Sequence, residues 1–206
     1  MEQIEKLKVY IIGQPKVDLS LEFSIQLAME DQSSLGEKLE FQTVSTIEEY
    51  NSFIADGTAS GLVLFHDEIF SYSYIKGKVE KAGKIPSDSK VRGVWEELSS
   101  KYYQKLFDVL IPMIANKQIY FAVWTEYTPE LTGDIMEMLQ TIFEKNNLDS
   151  SNLCPQGFNM FEGYVRFPFK VCIYPILKRI FNGEIVLKKD TVKKLGDYKF
   201  KPELFG

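Results

Sequence analysis

Gly61-Leu62-Val63-Leu64-Phe65-His66-Asp67-Glu68 is the stretch that decides the fold. Four consecutive apolar residues follow a glycine and end in three ionisable ones. A strand with one solvated face would alternate apolar and polar residues, so an unbroken apolar run describes a strand buried on both faces, as in a parallel sheet between helical layers. The ionisable trio then falls at the carboxyl end of that strand, the edge where open α/β sheets bind ligands.

Working outward, Lys8-Val9-Tyr10-Ile11-Ile12-Gly13 reads as a second buried strand, and Ile119 to Trp124 as another. Leu39 to Val44 alternates strictly and predicts a half-buried or edge strand, while Gly163 to Phe167 predicts a short fifth one. Helices fill the intervals. Asp18 to about Asp31 carries Leu21, Ile25 and Ala28 at helical spacing, with Asp18 or Ser20 as N-cap. Thr46 and Glu49 have capping-box spacing and open a helix with Ile47, Tyr50, Phe53 and Ile54 on one side. A stripe from Val91 through Trp95, Leu98, Tyr102 and Leu106 to Leu110 predicts an extended third helix that Pro112 should kink or end. Thr128-Pro129 starts a helix to about Asn146 in which Met136 and Met138 pack, and Pro175 starts a last one stopped by Gly183. Parallel strands need helical crossovers, so this order predicts a three-layer α/β/α sandwich around a five-stranded parallel sheet. One domain spans 1–183, with an insertion at 70–90 after the third strand. A tail at 184–206 could form a hairpin about Gly196-Asp197.

The chain has 206 residues, 45% hydrophobic, 14% aromatic and 26% charged, with a net charge of −5. That balance describes a globular protein. No apolar run reaches bilayer length and the N-terminus lacks a secretory pattern, so the expectation is a cytoplasmic protein with no membrane contact. The acidic balance argues against direct nucleic-acid binding. Cys154 and Cys172 form no CxxC pair and read as reduced bystanders; no metal and no cofactor is expected. His66 is the only histidine. Gly13-Gln14-Pro15 has one glycine where a dinucleotide fingerprint needs three, and no Walker loop or nucleophile elbow occurs.

In their order, these segments resemble the receiver domain of two-component response regulators. Lys8 to Pro15 resembles the first receiver strand and the acidic pair after it, Phe41 to Phe65 the run from the second strand into the third, and Gly163 to Phe169 the fifth strand with its Lys-Pro-Phe signature. The resemblance implies a flavodoxin-like fold, and it also marks departures. A receiver's Mg²⁺ needs clustered carboxylates and its phosphoryl acceptor is an aspartate. Here the acidic pair corresponds to Gly13 and Gln14, the acceptor to His66 with Asp67 one place late, and the phosphoryl-contacting lysine to Phe167. Thr125 could keep the hydroxyl after the fourth strand. The pattern is that of a pseudo-receiver, with the fold kept and phosphotransfer lost.

The expected function is therefore a non-catalytic signalling or scaffold module that recognises a protein partner. Tyr72 and Tyr74, outside any core stripe, are interface candidates, with Tyr164, Lys193 and Lys194. The resemblance also implies self-association through 128–182. Two alternatives stand beside it. One is a small-molecule sensor or hydrolase using a pocket around Gly13, His66 and Thr125. The other is a regulatory domain of a transcriptional regulator, since Leu195 to Phe200 resembles the strand that opens winged-helix output domains.

Overall fold

In a computed structural model, residues 61–66 form the expected strand, β3 (Gly61–His66), buried along its whole length. The described residues are 6–13, 18–30, 32–56, 58–66, 104–125, 129–159 and 169–189. β3 pairs in parallel with β1 (Leu7–Ile12) on one side and β4 (Ile119–Thr125) on the other. β2 (Leu39–Val44) pairs with β1 alone, the edge position that its alternation predicts. The order is β2-β1-β3-β4, with a two-residue β5 (Phe158–Asn159) beyond β4, an arrangement compatible with a flavodoxin-like fold.

Four full strands therefore carry the sheet, which corrects the expectation of five. Along β4's outer edge, Phe121 N–H donates to the Asn152 carbonyl and Cys154 N–H to that of Phe121. Pro155 has no N–H to continue this ladder, and pairing resumes only at Phe158 and Asn159. The edge is thus occupied by 152–159. The segment expected to fill it, Gly163 to Phe167, lies outside the described residues.

Helices cover both faces. α1 (Leu19–Met29), a π-helical turn (Phe169–Ile173) and a C-terminal helix (Tyr174–Phe181) enclose Val9, Ile11, Leu62, Leu64, Tyr120 and Trp124. The other face, with Tyr10, Ile12, Val63, Phe65, Phe121 and Val123, packs on α3 (Ile47–Asp56), α4 (104–115) and α5 (Pro129–Lys145). A short α2 (Ser33–Gly36), which the sequence did not signal, precedes β2. The C-terminal helix is α6. No helix among the described residues is long and apolar enough to cross a membrane.

The helix starts follow the caps. Asp18 Oδ1 accepts from Leu21 N–H. The Thr46–Glu49 capping box closes in both directions, since Glu49 N–H donates to Thr46 Oγ1 and Thr46 N–H to Glu49 Oε2. Donation from the Ser45 and Thr46 N–H groups holds the Glu49 carboxyl below its ordinary range.

One helical expectation fails, and a second holds at most in one of its two forms. The buried face of α1 is Leu19, Phe23, Gln26 and Leu27, whereas Leu21, Ile25 and Ala28 point outward. The helix is apolar on both sides, so spacing alone could not choose the face. Pro112 does not end α4, which runs on to residue 115. Ile111, Met113 and Ile114 bury their side chains and hold the last turn.

The stretch 184–189 is joined to the body. Ile185 enters the α1-side core, Ser60 Oγ donates to the Lys188 carbonyl, and Lys188 N–H donates to that of Lys117. Lys117, at φ 59° in the turn after α4, reaches Asp149 at 3.0 Å. Hydrogen bonds from Ser151, with help from Lys117, lower the Asp149 carboxyl to about 2. A carboxyl lowered on folding contributes stability that is complete above its unfolded value and fades as the pH falls toward 2. Both side chains are well exposed, so the contribution is below about 1 kcal/mol. In urea unfolding between pH 5 and 2, Asp149→Asn should show a shallower loss of midpoint than the wild type; parallel curves would remove this assignment.

Candidate functional site

The strand order reverses direction between β1 and β3, and that is where open α/β sheets leave a crevice at the carboxyl edge. Gly13 ends β1 on one side of it. Its φ of 125° is one that residues with a side chain rarely adopt, and its N–H donates to the Val44 carbonyl at 3.0 Å. His66 ends β3 on the other side, and Thr125 ends β4, where it pairs with Asn159. Three strand ends singled out from sequence thus come together along one edge.

Strand alternation fixes which way His66 faces. Leu62 and Leu64 lie in the α1-side core, so His66 points to that side too. It is 2% exposed and stands in register with Trp124 on β4, itself 1% exposed. The Trp124 ring stacks on Phe23 of α1 at 6.5 Å, and Phe169 of the π-turn meets Phe23 edge-on at 5.0 Å. Trp124 Nε1 has no acceptor among the described residues. The His66 imidazole is therefore a buried group on the α1 side of the sheet, in register with Trp124.

Among the described residues, no three of His, Cys, Asp and Glu come close enough to hold a metal ion. Cys154 and Cys172 are free thiols, and burial raises both above the ordinary range. Burial also pushes up the Tyr120 hydroxyl, which shares a hydrogen bond with Cys154. None of these groups is activated for nucleophilic attack, because burial disfavours the charged form that attacks.

A cavity of about 350 Å³ lies at the opposite, amino-terminal edge of the sheet, where Lys6, Lys8 and Lys189 stand around Tyr10 and Phe53. No sequence pattern signals it, since its walls come from β1, α3 and the segment around 189.

Of the other candidates, Gln14, Asp67 and Phe167 lie outside the described residues, as do Tyr72, Tyr74, Tyr164, Lys193 and Lys194. Sequence reasoning missed Trp124, in register with His66, and Phe23, on which Trp124 stacks. The available signal was the pair of strand ends, Phe65-His66 and Trp124-Thr125, whose equal spacing from Gly61 and Ile119 sets them side by side. Comparison of the chain with protein-family models, curated proteins and solved structures finds no match to any of them.

Proposed function

We propose that this chain is a cytoplasmic, non-catalytic interaction module of receiver-like, flavodoxin-type fold, which has lost Mg²⁺ binding and phosphotransfer and acts by recognising a protein. The observation that carries the reading is the carboxyl edge. Where a receiver would hold its first carboxylate, the backbone at Gly13 has a φ of 125° that an aspartate would occupy only under strain. Where a receiver would hold its reacting aspartate, the side chain is a histidine 2% exposed, in register with Trp124. A hard divalent ion needs several oxygen ligands facing water or substrate, and neither position supplies one.

Beryllofluoride or acetyl phosphate with Mg²⁺ tests the reading. A ligand that binds only the folded state raises Tm by mass action. The expected result is a Tm unchanged within about 1 °C at millimolar ligand, with no phosphoprotein on acid-quenched gels. An upward shift of several degrees, reversed by EDTA, would overturn it.

Within the 128–182 region nominated for self-association, the exposed side chains described on α5 are Glu137, Gln140, Glu144 and Lys145, all polar.

A further inference from the structure

We propose that the cavity at the amino-terminal edge of the sheet binds a small phosphate monoester, with the phosphate held among Lys6, Lys8 and Lys189. The site lies at the opposite edge from Gly13, His66 and Thr125. It goes beyond the protein-recognition reading and does not depend on it.

The fold, not the sequence order, brings these cations together. Lys8 and Tyr10 alternate along β1 toward the α3 side, and Lys6, just before the strand, continues the row. Lys189 arrives from the other end of the chain on a segment whose backbone is held. Ile185 is buried in the α1-side core, Lys188 N–H donates to the Lys117 carbonyl at 2.8 Å, and Ser60 Oγ donates to the Lys188 carbonyl at 3.0 Å. Ser60 itself lines the cavity, so the bond that holds the segment also sets Lys189 beside it.

The chain carries a net charge of −5, yet lysines are the only charged residues among the described lining. Among the described residues none of the three is in an ion pair. Glu40 stands opposite Lys8 on β2, but it is exposed and makes no ion pair with it. Ammonium groups gathered around one space repel one another, and an anion between them turns that repulsion into attraction. The carboxyl end of α3, which abuts the cavity at Ser52 and Phe53, supplies only about half a negative charge. A ligand must supply the rest.

The side chains also select the anion. Planar carboxylates are matched by the guanidinium fork of arginine, and the described lining has none. An ammonium is a compact charge with three donors that suits the oxygens of a phosphate. Gln42 and Ser52 add polar groups to the wall. The rest of the wall is apolar: Leu187, with Tyr10 and Phe53, which are 5% exposed and meet edge-on at 5.4 Å. The volume of about 350 Å³ is far more than a bare phosphate fills, and it falls at the small end of organic-ligand sites. The ester group is therefore the size of a sugar or a nucleoside.

Isothermal titration calorimetry on the whole chain at low salt tests this, with AMP, glucose 6-phosphate and citrate as probes. At least one of the two monoesters should bind with a Kd on the order of 0.1–1 mM, and the tighter of them tells a nucleotide from a sugar phosphate. Citrate should bind at least tenfold more weakly. Lys8→Met with Lys189→Met should weaken monoester binding at least tenfold, since each exposed charge pair contributes up to about fivefold. Tm should stay within about 2 °C, because both side chains are exposed. Lys178→Met, on α6 at the other face of the sheet, should leave binding unchanged. No saturation by either monoester at 10-fold the expected Kd, citrate binding as tight as theirs, or equal loss in the double variant and in Lys178→Met would each overturn the site. Those outcomes leave the beryllofluoride result, on which the module reading stands, untouched.

Discussion

Phe23→Ala should lower stability by about 3–5 kcal/mol, the range for emptying a fully buried aromatic site, and should lower Tm by roughly 6–20 °C for a chain of this size. Phe23 is completely buried and is the residue through which α1 holds the sheet. It meets Phe41 of β2 at 5.5 Å, Trp124 of β4 at 6.5 Å and Phe169 of the π-turn at 5.0 Å. Truncation removes the ring's burial and its edge-to-face contacts together. The aromatic layer cannot close the gap cheaply, because Trp124 is fixed by the strand register and Phe169 by a separate element. Phe23→Leu should recover part of the loss by filling the space. Leu21→Ala, two residues away on the outer face, should change stability by no more than about 0.5 kcal/mol. Urea unfolding of the three variants checks the order. Equal losses for Phe23→Ala and Leu21→Ala would mean that α1 is rotated from the orientation described.

The same helix shows how far the sequence could be read. Gly61 to His66 announced a doubly buried strand because an unbroken apolar run leaves neither face for water, and Leu39 to Val44 announced an edge because alternation implies one wet face. The capping box at Thr46 and Glu49 was legible because cap chemistry is local. α1 was not legible in its orientation. Leu19, Phe23 and Leu27 compete with Leu21, Ile25 and Met29 for the core, and both sets have helical spacing; only the ring volumes available beside Trp124 settle which one goes in. Of the two outcomes expected at Pro112, a kink or an end, the end does not occur, since α4 runs to residue 115. Proline lacks an N–H anywhere in a helix, but Ile111, Met113 and Ile114 around it are buried, and that packing keeps the last turn in place.

The candidate site was legible in position and less so in character. Three strand ends, Gly13, His66 and Thr125, follow from strand boundaries and parallel order, which the sequence carries. That His66 is buried in register with an indole depends on the pairing of β3 and β4, a relation between residues 58 positions apart in sequence that no local pattern contains. The cavity at the other edge needed β1, α3 and the segment around 189 to be placed together, so it was invisible for the same reason.

Gly61→Ala is the substitution that should reach furthest from so small a change, with a loss of at least about 3 kcal/mol and a fall in soluble yield. Gly61 lies where β1 and β3 come together, next to the register pair Val9 and Leu62. Its φ is 157°, and a Cβ added there would overlap the carbonyl oxygen of Lys8. On its other side, Gly61 N–H donates to the Gln118 carbonyl at 3.3 Å, and the residue pairs with Ile119. A methyl group could be admitted only by drawing β1 away or by turning Gly61 out of its bond to Gln118. Either movement disturbs a sheet whose central strand is buried end to end. Ser60→Ala is the control. It removes one exposed hydrogen bond, Ser60 Oγ to the Lys188 carbonyl at 3.0 Å, and should cost no more than about 1 kcal/mol. Melting curves of both proteins check the prediction, and a Gly61→Ala protein as stable as Ser60→Ala would show that the two backbones do not approach so closely. The close approach bears on the site as well. A one-residue slip of β3 would turn His66 to the opposite face. A first residue without a side chain, fitted between the backbones of β1 and β4, leaves the strand no second register, and this holds His66 beside Trp124 at the far end.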